Sequence, residues 1–224
     1  MRLLRDKKIY TYFFLLLFLG SINNKDLINN QFFKIKNLNI NGASLNEQSK
    51  LMTKLNVIKN ENIFFLSKKK ITNILNSNNL VETFLVKKSY PSDLNIRIKK
   101  TSFLANINLN GKNFIIGSNK KLIESQFNNQ NLPIVLGEPS ISDFFKLKDD
   151  IHKSSLNYND IKKFNFFKSK RWDLELVNGV LIKLPINNNI ETLNNFIEIA
   201  KLSKFNNVKT FDMRIKNQVI VDGQ

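Results

Sequence analysis

The sequence predicts an α+β protein with three parts in order: an apolar N-terminal helix, a β-α-α-β-β module, and a mainly antiparallel β domain with two helices. Three observations predict this arrangement. An uncharged apolar run follows a basic N-terminus, two amphipathic helical patterns lie between strand patterns in the first half, and a strong hairpin signal stands at Asn178-Gly179. The chain has 224 residues, which is enough for an anchor and two small domains.

The stretch 171–185 predicts the hairpin around which the second domain is organised. A two-residue loop would mix polar and apolar side chains on both faces of the hairpin. A three-residue loop over 177–179, with Gly179 left-handed, aligns apolar residues on one face and sets Asp173 opposite Lys183 on the solvent face. The aligned apolar pairs are Trp172 with Leu184, Leu174 with Ile182, and Leu176 with Val180. We therefore expect the three-residue loop, with flanking amphipathic helices covering the apolar face.

The charge balance is strongly basic, with 35 Lys and Arg against 18 Asp and Glu and a net charge of +17. Such a balance is typical of proteins that bind nucleic acid or anionic membranes. Here, however, lysine far outnumbers arginine and is spread along the chain, as AT-rich coding would produce, whereas a polyanion site would cluster its charge. Coding bias is the favoured interpretation. The absence of cysteine excludes disulfides and thiolate chemistry.

The N-terminus predicts a membrane anchor. Residues 1–8 are basic, and the uncharged stretch 9–24 of about 16 residues would span roughly 24 Å as a helix, short of the ~30 Å hydrocarbon core. A cleaved signal peptide and a short transmembrane signal anchor both fit this pattern. In either case residues 1–8 stay cytoplasmic and the remainder is exported. Residues 25–31 are expected to form a juxtamembrane linker.

Residues 32–100 predict a layered module with two helices on a three-stranded sheet. The order of patterns is β-α-α-β-β. The expected elements are a strand at 33–40, a helix after a capping box at 44–47 lined by Leu51, Met52 and Leu55, a helix capped by Ser67, and strands at 86–90 and 94–98.

Residues 101–224 predict the mainly antiparallel β domain. Its two helices begin near Ser140 and Glu191. The expected strands are 103–108, 113–116, an edge or first-position strand at 132–137, 164–167, the two strands of the 171–185 hairpin, and the last two at 208–215 and 218–221.

The inventory of reactive residues favours a binding protein over an enzyme. His152 is the only histidine, and a lone histidine is more often solvated than a metal ligand. Asp173 and Glu175 are better explained as a solvated strand face than as a catalytic pair. Phosphate-loop, nucleophile-elbow and zinc-protease motifs are absent from the sequence. Trp172 is expected to pack against a helix.

Several motifs carry a family resemblance. The POTRA-like marks are Phe33-x-Ile35-x-x-Leu38-x-Ile40-x-Gly42 and Val86-x-Lys88-x-Tyr90-Pro91 with Leu94-x-Ile96. The marks in the second half are Leu132-Pro133-x-x-x-Gly137, the Arg171-Trp172 hairpin through Leu184-Pro185, and Phe211-Asp212-Met213-Arg214. With the basic tail and anchor, this layout resembles the FtsQ (DivIB) family of bacterial cell division proteins, in its proteobacterial branch. The resemblance favours an uncleaved anchor.

The resemblance implies a non-enzymatic scaffold of the division machinery. It would span the inner membrane once, with its N-terminus cytoplasmic and residues 32–224 periplasmic, at the division site. It would bind FtsB and FtsL through the far end of the β domain and FtsK through the POTRA-proximal part, without cofactor, nucleic acid or small-molecule substrate. Carried over by position, the contacts are Arg214, Ile215, Gln218, Val219, Ile220 and Val221, with Lys170 or Arg171 as the basic contact.

The physical basis of that interface would be β-augmentation, because a terminal strand leaves backbone groups for a partner strand. One departure from the family is the lack of aromatic residues after Val221. The alternative function is a POTRA-containing envelope protein of outer-membrane assembly or secretion that binds polypeptides.

Overall fold

The computed structural model describes residues 2–22, 31–126, 129–205 and 207–222. Contacts divide the chain into two compact units, Met1–Lys100 and Thr101–Gln224. Each unit has its own hydrophobic core. The predicted linker lies almost wholly outside the described residues, as do the last two residues of the predicted anchor.

The N-terminal helix, α1, runs from Arg2 to Ile22. Its apolar side chains from Ile9 to Leu19 are exposed. Among the helices of the described chain, α1 included, none combines the length and apolarity needed to cross a membrane. The structure therefore does not confirm the predicted transmembrane anchor over 9–24.

The rest of the first unit has the predicted β-α-α-β-β order. Its elements are β1 (Asn37–Asn41), α2 (Leu45–Leu55), α3 (Lys68–Asn76), β2 (Val81–Ser89) and β3 (Asp93–Lys100). Strand β3 lies in the middle of the sheet, parallel to β1 and antiparallel to β2. The fold class predicted for this module is confirmed.

The helices of the first unit begin where their caps predict. The backbone N–H of Ser44 donates to Glu47 Oε2 at 2.8 Å, and Ser67 Oγ accepts from the backbone N–H of Lys70 at 3.4 Å. Leu51 and Leu55 are buried as predicted.

Two details of the first unit differ from prediction. Met52 was expected on the buried face of α2 but is exposed. The predicted strand 33–40 is a short 3-10 turn at Gln31–Phe33 followed by β1, which pairs only from Asn37 onward. The backbone of residues 33–35 instead hydrogen bonds to residues 60–63.

The second unit is built on a nine-stranded sheet. Its strands are β4 (Phe103–Leu109), β5 (Lys112–Gly117), β6 (Leu122–Glu124), β7 (Ile134–Leu136), β8 (Ile161–Phe166), β9 (Trp172–Leu176), β10 (Leu181–Lys183), β11 (Thr210–Asp212) and β12 (Ile220–Asp222). Its helices are α4 (Ile141–Lys153) and α5 (Asn189–Ala200). In the described residues the strand order is β12-β11-β10-β9-β8-β7-β4-β5-β6.

Most neighbouring strands of this sheet are antiparallel, as predicted. The parallel pairs are β4 with β7, β7 with β8, and β10 with β11. The sequence allowed β7 to be either an edge strand or a strand with Pro133 at its start; β7 lies inside the sheet, so the second alternative holds. Pro133 precedes the strand and therefore removes no ladder donor, and its carbonyl accepts from the Asn106 N–H at 2.8 Å.

The hairpin has the predicted three-residue register. Leu174 pairs with Ile182 and Asp173 with Lys183. The N–H of Leu176 donates to the Val180 carbonyl at 2.8 Å, and Gly179 has φ of 86°. This register places the apolar residues of β9 and β10 on the face that α4 and α5 cover.

The core of the second unit lies between that face and the two helices. Phe144 of α4 meets Phe164 of β8 edge-to-face with ring centroids 5.7 Å apart, and Phe196 of α5 meets Phe211 of β11 in the same way at 5.1 Å. Trp172 is buried in this core, as predicted.

Two glycines of this unit provide a matched test of backbone packing. Both have positive φ, but a Cβ at Gly137 would lie 2.4 Å from the Phe166 carbonyl oxygen, whereas a Cβ at Gly179 would meet no atom within 4 Å. We expect Gly179→Ala to lower the free energy of unfolding by about 1–2 kcal/mol. Gly137→Ala should lower the free energy of unfolding by more than Gly179→Ala does, with an extra loss on the order of 1–3 kcal/mol because the backbone must shift.

The measurement is urea unfolding followed by Trp172 fluorescence, since this only tryptophan lies in the core of the same unit. Equal losses for the two variants would contradict the packing described at Gly137.

Candidate functional site: the C-terminal sheet edge

Strand β12 forms one edge of the nine-stranded sheet. It pairs antiparallel with β11, with Thr210 opposite Asp222 and Asp212 opposite Ile220. Among the described residues no strand lies on its other side. Both Ile220 and Val221 are exposed. Because backbone groups of a strand alternate in direction, the outer side of β12 presents N–H and C=O groups to solvent.

The six residues predicted for the edge do not all lie in a strand. Ile220 and Val221 are in β12, Gln218 and Val219 immediately precede it, and Arg214 and Ile215 follow β11. The predicted strand 208–215 was too long, because β11 covers only Thr210–Asp212, and the predicted strand 218–221 begins two residues before β12 does. A turn separates them, with Asn217 left-handed at φ 61° and the Gln218 N–H donating to the Ile215 carbonyl at 3.2 Å.

Arg214 is held by a carboxylate of its own chain. Its Nε donates to both carboxylate oxygens of Asp212, at 2.7 and 3.0 Å, and Nη2 contacts Oδ2 as well. This hydrogen bonding lowers the pKa of the Asp212 carboxyl from its usual range. The guanidinium is therefore a fixed part of the β11–β12 connection, and the side chain still exposes 43% of its surface.

A row of charges of alternating sign crosses the sheet face opposite the helices. Asp173 of β9 stands opposite Lys183 of β10, which stands opposite Asp212 of β11. Arg171 and Arg214 flank the row, each paired with the nearer carboxylate. We refer to these five residues as the charge row.

The prediction that Asp173 lies on a solvated strand face is wrong, because the residue is only 5% exposed. Burial raises the pKa of its carboxyl, and the charges of Arg171, Lys183 and Arg214 oppose that rise. Glu175, on the same face, instead bonds Lys163 Nζ at 2.8 Å, which lowers its pKa. Each carboxylate has its own cation, so the two do not form an acid pair.

The two candidate basic contacts occupy different environments. Arg171 Nε lies 3.3 Å from Asp173 Oδ1, and its guanidinium lies 4.4 Å from the centre of the Phe167 ring. Lys170 is exposed in the preceding turn, left-handed at φ 61°, with its N–H donating to the Phe167 carbonyl at 2.8 Å. Lys170 is thus the more accessible of the two for an acidic partner.

A pocket that sequence reasoning missed lies beside this edge. Its volume is about 350 Å³, and it lies between α5 and the loop 213–219. Glu191 and Glu198 line it from the helix, and Arg214 and Lys216 from the loop. The helix and the loop are far apart along the sequence, so no local pattern could indicate it. A side chain from a chain bound at β12 would fit a pocket of this size.

Two family models match the two units in order. The POTRA domain, FtsQ-type, matches residues 33–100, and the cell division protein FtsQ/DivIB C-terminal model matches residues 105–214. The chain belongs to the FtsQ/DivIB family of cell division proteins.

Several FtsQ proteins are similar to this family member along most of its length. The chain is 28% identical over 193 residues to the cell division protein FtsQ of Rickettsia bellii (strain RML369-C), covering 85% of this chain and 72% of the relative. It is 27% identical over 195 residues to that of Rickettsia felis (strain ATCC VR-1525 / URRWXCal2), with the same coverage.

Among solved structures, the major extracytoplasmic domain of the DivIB protein from Geobacillus stearothermophilus matches at 12% identity. The match covers 47% of this chain and 96% of that one, with a TM-score of 0.34. Among the described residues, no group of three or more His, Cys, Asp and Glu side chains could hold a metal ion.

The Asp212–Arg214 pair predicts a pH effect of definite sign. The folded-state pKa of Asp212 lies below its unfolded value near 3.8, so the stability that the ion pair contributes is present above that value and is lost as pH falls through the folded pKa. We expect Asp212→Asn to lower the free energy of unfolding at pH 7 and the difference from the parent to narrow below pH 3.8.

Urea unfolding at several pH values measures this difference. In an Arg214→Gln background the pH-dependent part of this difference should shrink, because the side-chain hydrogen bond of Arg214, the largest cause of the lowered pKa, is gone, while the backbone N–H of residue 214 and Lys183 remain. If the difference in free energy of unfolding between the parent and the Asp212→Asn variant grows toward acid pH, the lowered pKa of Asp212 is contradicted.

Proposed function

We propose that this FtsQ/DivIB family protein is a non-enzymatic, membrane-tethered scaffold of the division machinery, and that its C-terminal sheet edge binds FtsB and FtsL. The observation that carries the proposal is the position of β12, whose outer side is unpaired among the described residues. A partner strand added there would gain main-chain hydrogen bonds along the edge. The edge strand has three residues, so side-chain contacts must supply part of the affinity.

Those side-chain contacts are available around the edge. Ile220 and Val221 offer exposed apolar surface, and Ile215 beside them is exposed as well. Lys170 supplies an exposed positive charge, and the charge row holds Arg214 at the β11–β12 connection. A partner strand followed by acidic residues fits this combination, because rim charges guide association and fix orientation. The pocket beside α5 would receive one side chain of that partner.

Tethering is assigned to α1. Its apolar side chains from Ile9 to Leu19 are exposed on the helix, and basic residues precede them in sequence. An apolar stretch shorter than the bilayer can be accommodated when flanking Lys and Arg side chains extend to the interface. In this proposal residues 1–8 are cytoplasmic, 9–24 form the inner-membrane anchor, 25–31 the linker, and 32–224 the periplasmic modules at the division site.

The first module is assigned a separate role in recruiting earlier division proteins, with FtsK as its partner. The FtsQ-type POTRA domain model matches this module at residues 33–100. The single exposed histidine and the absence of cysteine support a scaffold over an enzyme.

Truncation tests the edge directly. Deleting residues 218–224 removes β12 and the segment that leads into it, so co-purification with FtsB and FtsL should be abolished. Because the deleted side chains are mainly exposed, the fluorescence of buried Trp172 should keep its folded character. Full retention of both partners by the folded truncated protein would overturn the proposal.

Charge reversal tests the basic contact. Lys170→Glu should weaken binding to FtsB and FtsL by a factor of roughly five, consistent with a rim charge worth about 1 kcal/mol. Lys112→Glu is the matched control, since Lys112 is an exposed lysine of β5, near the opposite edge of the same sheet. Binding is measured with the full-length chain at low and moderate salt. Equal effects of the two reversals would rule out a specific role for Lys170.

A further inference from the structure

An exposed patch of aromatic side chains lies at one end of the first module. Its members are Phe32, Phe33, Phe64, Phe65 and Tyr90, and we call it the aromatic patch. Four of them are more than half exposed: Phe32 at 58%, Phe64 at 52%, Phe65 at 60% and Tyr90 at 57%. Large aromatic side chains gathered on a module surface mark an interaction site, because single exposed hydrophobic residues are common and such clusters are not.

Four of the five rings form a continuous series of contacts. Phe32 meets Phe33 with centroids 5.2 Å apart, and Phe33 meets Phe64 at 5.1 Å, both edge-to-face. Phe64 then stacks on Tyr90 at 4.7 Å. Phe65 follows Phe64 in the same turn. The contacts order the rings against one another and leave their outer surfaces in solvent.

Backbone hydrogen bonds hold the three contributing segments together. The Ile63 N–H donates to the Phe33 carbonyl at 2.9 Å, and the Ile35 N–H donates to the Glu61 carbonyl at 3.0 Å. The Lys36 N–H donates to the Ser92 carbonyl at 2.9 Å, just past Tyr90. The patch is therefore a built feature of the module and not a mobile tail.

The length of the segment that joins α1 to the first module limits the distance between α1 and the aromatic patch. Residues 23–30 separate the end of α1 from the 3-10 turn that carries Phe32 and Phe33. Fully extended, that connection reaches roughly 30 Å. If α1 holds the chain at a membrane, the length of this connection keeps the patch close to the bilayer.

Positive charge surrounds the patch. Lys34 and Lys36 follow Phe33, Lys59 precedes Asn60 in the neighbouring segment, and Lys88 Nζ donates to the Phe64 carbonyl at 3.4 Å. The two nearby carboxylates are engaged within the module. Glu61 pairs with Lys70, and Asp93 accepts from Asn37 Nδ2 at 2.7 Å. The rim of the patch thus complements an anionic surface.

We propose that the aromatic patch and its lysines dock the first module onto the interface of the anionic lipid bilayer beside the anchor. Phe and Tyr rings partition into the headgroup region, and lysines beside them bind anionic lipid. Docking would fix the orientation of the module relative to the membrane. The inference depends on the membrane tether of the proposed function but not on the binding of FtsB or FtsL.

Because the sequence contains no cysteine, a single introduced cysteine can be labelled specifically. Phe65→Cys and Leu45→Cys each give the full-length chain a single site for a bimane label. Leu45 is the matched control, because it is an exposed apolar residue that lies beyond the far end of β1 from the patch. Both proteins are reconstituted in phosphatidylcholine vesicles with and without phosphatidylglycerol, and quenching by a headgroup-level spin-labelled lipid is measured.

We expect severalfold stronger quenching at position 65 than at position 45. The excess should fall when phosphatidylglycerol is omitted, and it should disappear in a Phe64→Ser, Tyr90→Ser background, where both changed residues are exposed. If the chain floats with the vesicles but both labels are quenched equally, docking is wrong and the tether stands. If the chain does not float with the vesicles, the tether and the docking proposal both fail.

Discussion

The register between β9 and β10 is the constraint on which the second unit depends. With the three-residue loop, Leu174 faces Ile182 beneath the helices, and Asp173 faces Lys183 on the other side. A slip of one residue would turn every apolar side chain of the hairpin to the opposite face. Because β11 pairs with β10 and β12 with β11, the same register decides which groups reach the C-terminal edge.

The two faces of the β9–β10 hairpin have different roles. Burial of Trp172 and its neighbours beneath α4 and α5 stabilises the sheet, while the charge row organises the opposite face. Asp212 fixes Arg214 at the β11–β12 connection, and Arg171 is held between Asp173 and Phe167. Paired in this way, the charges orient the loops around β12 without leaving a buried carboxylate uncompensated. Lys170 remains exposed beside them for contact with another chain.

Local signals predicted much of this architecture. The turn at Asn178-Gly179, the caps at Ser44 and Ser67, and the β-α-α-β-β order all depend on residues close in sequence, and all were found. The match to the FtsQ/DivIB C-terminal model shows the family, which the POTRA-like marks alone did not specify. Features that depend on distant residues were left open, missed or misjudged. The interior place of β7 was left open, the pocket beside α5 was missed, and the length of β11 and the burial of Asp173 were misjudged. No periodicity of β7 reveals that β4 and β8 flank it, and nothing near Asp173 in sequence shows that packing will exclude water from it.

In the proposed function the two units have complementary roles: the first lies next to the membrane, and the second offers its sheet edge to partners. We propose that another chain adds a strand to the outer side of β12. Hydrogen–deuterium exchange of the full-length protein, with and without the FtsB and FtsL pair, tests this most directly. We expect the amides within 220–222 to gain protection when the partners bind, while the amides of β5, next to the opposite edge strand β6, do not change. Partner binding without added protection in β12 would contradict it.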